Sequence, residues 1–249
     1  MRHVEQVMGT AVSIDLADDL PPRSLSAMIT DVCAWLHEVD ARFSTYRDDS
    51  EVNRFQRREI ALADLSADLR HVLDACADLW RETDGYFDAY AAGPLDPSGY
   101  VKGWSVEVAS ARLAAAGSHR HFINAGGDIR MRGPAPDGGP WRVGIRHPWA
   151  AGKLSWVLAL TDGAVATSGT YERGDHVRNP RTGKPASGLR SVTVTGPDLA
   201  RADAYATAAL AMGEPGISWL ARRTADGYES AVVTDDGRAF SSAGLPTAP

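Results

Sequence analysis

No stretch of the sequence approaches the roughly eighteen consecutive apolar residues that a membrane-spanning helix needs, so membrane insertion is not expected. Runs of lysine or arginine are missing as well. With 26 Lys and Arg against 32 Asp and Glu, a formal charge of −6, the chain lacks the clustered cations that track a nucleic-acid backbone. An anionic ligand would need a local site. Cysteine is scarce: Cys33 and Cys76 are the only two, and both fall at apolar positions of expected helices, which predicts buried free thiols rather than a disulfide or a metal pair. The opening residues Met1-Arg2-His3-Val4-Glu5 show neither the apolar stretch of a secretory signal nor a lipidation cysteine, so a cytoplasmic location is expected. Internal repeats and low-complexity linkers are also wanting.

What is present is the ordinary globular mixture, 44% hydrophobic and 23% charged, in a chain of 249 residues, long enough to bury a large core without covalent staples. Alternation over residues 4–16, with Val12, Ile14 and Leu16 on one side, predicts a strand. From Ser24 to Val39 the apolar spacing is helical, and a polar loop follows from Phe43 to Ser50. Ser66 is a fitting N-cap for a helix that buries Leu69, Val72, Leu73, Cys76 and Leu79, with Gly85 beyond its end. A further helix runs from Val101 to Ala116. Short strands are expected at His121–Asn124, Ile129–Arg132, Trp141–His147, Leu154–Leu160, Ala164–Thr167, Ser191–Thr195 and Glu229–Thr234, with helices at Leu199–Met212 and Ile217–Thr224 and a frayed tail after about residue 240. This order predicts an α+β fold: a single domain, 1–249, of mixed, largely antiparallel sheets covered by helices.

Three segments carry groups suited to chemistry. Asp203 and Thr207, four residues apart on one helix, place a carboxylate and a hydroxyl on the same face, and both are hard oxygen ligands of the kind Mg²⁺ prefers. Ser168-Gly169-Thr170-Tyr171, followed by His176, Asn179-Pro180 and Thr182-Gly183, forms a loop dense in turn residues and hydrogen-bonding side chains. In Asn124-Ala125-Gly126-Gly127-Asp128 the paired glycines let a main chain approach a phosphate or a ring closely. Lys102, early in its helix, is placed to receive an anion, and Tyr46 with Tyr86-Phe87 offers stacking surfaces. Each segment alone also fits a bland role: Asp203 favouring a helix dipole, the loops as exposed turns, the aromatics as core.

Read in order, Met8-Gly9-Thr10, Phe43-Ser44-Thr45-Tyr46, Asp84-Gly85-Tyr86-Phe87-Asp88, Val101-Lys102-Gly103, Asn124-Ala125-Gly126-Gly127-Asp128, Ser168-Gly169-Thr170-Tyr171 with His176, and Ala202-Asp203-Ala204-Tyr205-Ala206-Thr207 resemble the motifs of the FAD:protein FMN transferase (ApbE-like) family. The resemblance runs from about residue 7 to residue 213. It implies an ApbE-like, T-fold-like domain that binds FAD with Mg²⁺, transfers FMN to a Ser or Thr hydroxyl of an acceptor flavoprotein, and releases AMP. Asp203 and Thr207 would then ligate the metal, joined by carbonyls near Val101 and Ala206. Met8, Tyr46, Tyr86, Phe87, Asp88, Ser98 and Trp104 fall where such proteins line the FAD pocket, and Lys102, Gly126, Gly127, Asp128, Ser168, Gly169 and Tyr171 complete the expected binding set. His176 is the group expected to accept or relay a proton, with Asp203 as its catalytic partner through the metal.

The chain departs from that pattern in three places. Asp96-Pro97-Ser98-Gly99-Tyr100-Val101-Lys102-Gly103 replaces the usual Asp-Leu-Gly-Gly-x-Ala-Lys-Gly, the stretch between Asp88 and Asp96 is short, and Glu107 stands in place of the common Asp. An FAD pyrophosphatase, a non-catalytic flavin-binding protein and a metal-free structural domain are the competing expectations.

Overall fold

Met8 and Gly9 both adopt the left-handed region, with φ of 54° and 69°, and this turn splits the expected first strand into a hairpin. In the computed structural model, which describes residues 1–170 and 177–248, the hairpin comprises β1 (Arg2–Val7) and β2 (Thr10–Leu16), paired antiparallel. The strands that follow are β3 (His121–Ala125), β4 (Asp128–Arg132), β5 (Trp141–Arg146), β6 (Leu154–Leu160), β7 (Gly163–Gly169), β8 (Leu189–Gly196), β9 (Glu229–Thr234) and β10 (Ala239–Ser241). Eight of them form one sheet in the order β1-β2-β3-β4-β7-β8-β9-β10, and β5 and β6 form a separate ribbon. Each pairing is antiparallel.

Period-two alternation sends the sheet's apolar residues to two faces. Val12, Ile14, Ile123, Ala125, Ala164, Ala166, Val192 and Val194 pack with the helices in the larger core, whereas Ile129, Met131, Val165 and Ala231 meet Val143, Ile145 and Leu158 of the β5–β6 ribbon. The tail, expected to fray, is held against this ribbon. Leu245 is buried in the second core, Ala159 N donates to Pro246 O at 2.8 Å, and Ala248 N donates to Val157 O at 2.7 Å. A buried leucine and paired main chain outweigh the tendency of a terminus to loosen.

The helices covering the other face are α1 (Pro22–Phe43), α2 (Glu51–Gln56), α3 (Ala67–Glu82), α4 (Ser98–Ala115), α5 (Leu199–Met212) and α6 (Pro215–Arg223). Proline at its first turn starts α1 two residues before Ser24, since the missing proline N–H would be unpaired there anyway. Ser66 caps α3 as expected, accepting from Leu69 N at 3.2 Å, and Asp198 caps α5, accepting from Arg201 N at 2.8 Å. Short α2 falls in a segment that gave no helical periodicity; Ser50 caps it by accepting from Asn53 N at 3.2 Å. Among the described residues no helix is long and apolar enough to cross a membrane.

Helices α4 and α5 cross at Gly103. A β-carbon there would stand 2.7 Å from Leu199 O and 3.0 Å from Asp203 Cβ, so glycine is what allows the two main chains to approach.

Candidate active site

Three elements bring charge together beneath the sheet. Successive residues of β4 alternate faces, so while Ile129 and Met131 enter the second core, Asp128 and Arg130 point toward the helices. The Lys102 ammonium of α4 contacts the Asp128 carboxylate and lies 3.7 Å from Asp203 Oδ2 of α5. Asp128 and Asp203 are only 1% and 3% exposed. Asp128 Oδ1 accepts from Thr167 N at 3.4 Å, while its Oδ2 is buried without a well-directed hydrogen bond and is met by the Lys102 charge. Gly103 N donates to Asp203 Oδ2 at 3.2 Å.

Loss of solvent, and after it the negative charge of Asp128, push the Asp203 carboxyl well above the ordinary carboxylate range, against the pull of Lys102. Two buried carboxylates sharing one ammonium make a pocket that favours further positive charge. Asp128 reaches this position from the Gly126-Gly127 turn, where φ is 60° and 105°. A β-carbon on Gly126 would fall 2.6 Å from Thr10 Oγ1, so the glycine is needed for both its conformation and its closeness to β2.

One turn beyond Asp203, the Thr207 hydroxyl lies 3.2 Å from Ser168 Oγ at the end of β7. Asp203, Thr207, Lys102, Ser168, Gly169 and Gly126 line a single cleft of about 220 Å³, whose other wall contains Tyr86, Phe87, Asp88 and Ser98. That wall is set by the turn at Asp84 and Gly85, both at positive φ. Thr83 Oγ1 fixes it by donating to Leu79 O at 2.7 Å and accepting from Phe87 N at 2.8 Å. The Arg181 guanidinium sits 4.4 Å above the Tyr86 ring, within cation–π range.

Other expected site residues lie elsewhere. Trp104 is buried against Trp35 and Phe43, with ring centroids 5.3 and 5.5 Å apart. Met8 packs on the core, its sulfur 3.7 Å from Ser105 Oγ, and Tyr46 is 96% exposed. Gly127 faces a neighbouring hollow beside Asn124, whose Oδ1 accepts from its N–H at 2.8 Å. Val101 and Ala206 are buried within α4 and α5, where only their main-chain carbonyls can serve as ligands, and neither lines the cleft. Tyr171 and His176 lie outside the described residues. Conversely, the cleft includes Thr167 and Arg178, which no sequence pattern singled out, together with Asp96 and Gly99 of the segment that departs from the family motif.

The donor set suits a hard divalent cation: a carboxylate and a hydroxyl one helical turn apart, with a second buried carboxylate beside them.

The chain matches the model of the ApbE family over residues 8–94 and 90–232. The FAD:protein FMN transferase of Rhodobacter capsulatus is 36% identical over 159 residues, covering 59% of this chain and 29% of that protein. The one from Vibrio cholerae is 27% identical over 290 aligned positions, covering 92% of this chain and 86% of that protein. This chain thus aligns with under a third of the first relative's length and most of the second's. The crystal structure of the ApbE protein from Thermotoga maritima superposes with a TM-score of 0.87 at 22% identity, over 98% of this chain and 97% of the other, which establishes the shared α+β fold.

Proposed function

Because the chain belongs to the ApbE family, we propose that it transfers the FMN half of FAD to a Ser or Thr hydroxyl of an acceptor protein and releases AMP, acting as one domain over its whole length. The names of its relatives support the reaction. The observation that carries it is the meeting of Lys102, Asp203 and Thr207 at a cleft also lined by Tyr86 and Phe87, with Asp128 behind Lys102: a charged end for a diphosphate beside an aromatic surface for a ring system. At about 220 Å³ the cleft is below the usual 300–1,000 Å³ range for ligand pockets, so part of a dinucleotide would lie across its mouth.

The carbonyls of Val101 and Ala206 stand back from the cleft, so Asp203 and Thr207, with water and the diphosphate, would hold Mg²⁺. When bound, it supplies neutralisation of the diphosphate charge. Lys102, already shared between two carboxylates, is positioned to turn its ammonium toward an incoming phosphate oxygen. Gly126 and Gly169 allow main chain to approach the ligand without a side chain intervening. The acceptor hydroxyl oxygen bonds to the FMN phosphorus, the bond from that phosphorus to the oxygen retained by AMP breaks, and the hydroxyl proton passes to His176. Transfer in the cytoplasm is in keeping with the two unpaired thiols.

The test is incubation of the protein with FAD, Mg²⁺ and an acceptor flavoprotein, with AMP and FMN followed by mass analysis. Covalent flavin fluorescence on the acceptor together with AMP is the expected result. Free FMN and AMP with no labelled acceptor would assign hydrolysis instead, and FAD binding without AMP would assign a carrier.

A further inference from the structure

Away from the cleft, the edge strand β1 and the helix α1 that packs on it bring four metal-ligating side chains together. His3 and Glu5, two apart on β1, point to one face, and Cys33 and His37, four apart on α1, lie on one helical face opposite them. One Glu5 oxygen is 3.0 Å from His3 Nε2 and the other is 3.0 Å from His37 Nε2. The ligand atoms of His3, Glu5 and Cys33 all lie within 4.8 Å of one another. Each of these three residues is half-buried, while His37 closes the group from the solvent side. None of the four lines the cleft.

A carboxylate between two histidines is a common surface ion pair and contributes little by itself. The thiol changes the chemistry of the set. Two imidazoles, one thiolate and one carboxylate make the mixed nitrogen, sulfur and oxygen shell that suits a four-coordinate Zn²⁺, and do not suit Mg²⁺ or Ca²⁺. With metal–ligand bonds of about 2.0–2.3 Å, a tetrahedral shell has ligand atoms roughly 3.3–3.8 Å apart. For His3, Glu5 and Cys33 the observed spacing closes to this with about an ångström of side-chain movement, and the exposed His37 ring, already on Glu5, would swing in as the fourth ligand. We propose that His3, Glu5, Cys33 and His37 bind one Zn²⁺-type ion that clips the edge strand β1 to α1. Binding releases the Cys33 thiol proton to solvent and forms a metal–sulfur bond, with no change of oxidation state.

The experiment uses the full, reduced chain freed of metal with a chelator and titrated with Co²⁺ alone, then with Zn²⁺. One equivalent of Co²⁺ should bring up a thiolate-to-cobalt charge-transfer band and the intense visible bands of tetrahedral cobalt, and Zn²⁺ should bleach both. Cys33→Ala should abolish the charge-transfer band, Cys76→Ala should retain it, and His3→Gln or His37→Gln should each weaken Co²⁺ binding by at least about tenfold, the low end of what outer-shell losses already cause. Metal-free thermal melts of each variant confirm that it folds; should Cys33→Ala fail that check, Cys33→Ser takes its place. No charge-transfer band at stoichiometric Co²⁺, a band that survives removal of the Cys33 thiol, or unchanged affinity in both histidine variants would overturn the site.

Discussion

Replacing Gly103 with alanine sets two effects of opposite sign against each other. In an isolated helix the change would stabilise by about 1 kcal/mol, because glycine is the poorer helix former. Here the new methyl carbon would stand 2.7 Å from Leu199 O, 3.0 Å from Ala200 Cα and 3.0 Å from Asp203 Cβ. Those are main-chain or main-chain-adjacent atoms that no rotamer change can move aside, so the upper part of the overpacking range, about 3 kcal/mol, applies. The net expectation is a loss of about 2 kcal/mol, which for a chain of this size lowers the melting temperature by roughly 4–8 °C. Separating α4 from α5 also stretches the 3.2 Å bond from Gly103 N to Asp203 Oδ2 and displaces that carboxylate from Lys102. Since misplacing a reacting group by about 1 Å can cost on the order of a hundredfold in rate, flavin transfer at 25 °C should fall by about tenfold or more in protein that is still fully folded. Thermal melts and the rate of covalent flavin labelling read the two effects separately. Gly99→Ala is the internal comparison: its nearest neighbour is the Phe87 ring edge at 3.3 Å, a side chain that can yield, so the melting temperature should not drop. A Gly103→Ala protein that melts within a degree of the parent and labels at the parent rate would refute the claim that this close crossing sets the position of Asp203.

Asp203→Asn should raise thermal stability by roughly 1 kcal/mol in the presence of a chelator while abolishing flavin transfer, because it removes a buried charge that repels Asp128. The folded carboxyl titrates above its ordinary 3.8, so the gain should be present at neutral pH and vanish below about pH 4; equal gains at both would disprove the origin in charge. His121 is buried between Ser110 Oγ at 2.8 Å and Ser118 Oγ at 3.2 Å, and burial, followed by the charge of Arg132, pushes it down to about 4. The unfolded chain therefore takes up the proton first as pH falls, and up to about 3 kcal/mol of stability present above pH 6.5 should be lost toward pH 4; urea midpoints should show a flatter pH dependence in His121→Gln, and an unchanged one would contradict this. Glu107→Gln should cost about 2 kcal/mol in denaturant unfolding by leaving the buried Arg130 with Asp162 as its remaining carboxylate, and a midpoint equal to the parent's would show the pair to be neutral.

Much of the fold was legible because burial follows period. The capped helix after Ser66, the helix Leu199–Met212 and the strand Glu229–Thr234 lie where spacing placed them. The hairpin at Met8-Gly9 was hidden because methionine is not a turn residue, and only the finished sheet holds it at positive φ. Within the cleft, Asp203 and Thr207 were readable as a pair because both sit on one helix. Their encounter with Lys102 and Asp128 was not, since it depends on how α4, β4 and α5 pack. Tyr46 and Trp104 show the limit of reading motifs by adjacency. Lys102 and Trp104 are two apart on a helix, hence roughly 200° apart around it, and if one faces the cleft the other must face the opposite side, here the aromatic core with Trp35 and Phe43.

The charged face of β4 also explains why so many polar groups are tolerated beneath the sheet. Glu107 of α4 accepts from Arg130 Nε at 2.9 Å with one oxygen and from Leu199 N, at the start of α5, at 2.9 Å with the other. A single side chain thus joins the three elements that present Lys102, Asp128 and Asp203. It also satisfies one of the unpaired N–H groups at the first turn of α5 and places negative charge at the positive end of that helix. The Arg130 guanidinium is further saturated by Asp162 and by the carbonyl of Gly163, each at 2.9 Å. Polar burial is costly wherever a partner is missing. Arg130 and Glu107 are paired in this way, while beside them Asp128 and Asp203 share one ammonium. The Lys102, Asp128 and Asp203 charges are therefore held in place by the Glu107 network little more than one turn away along α4.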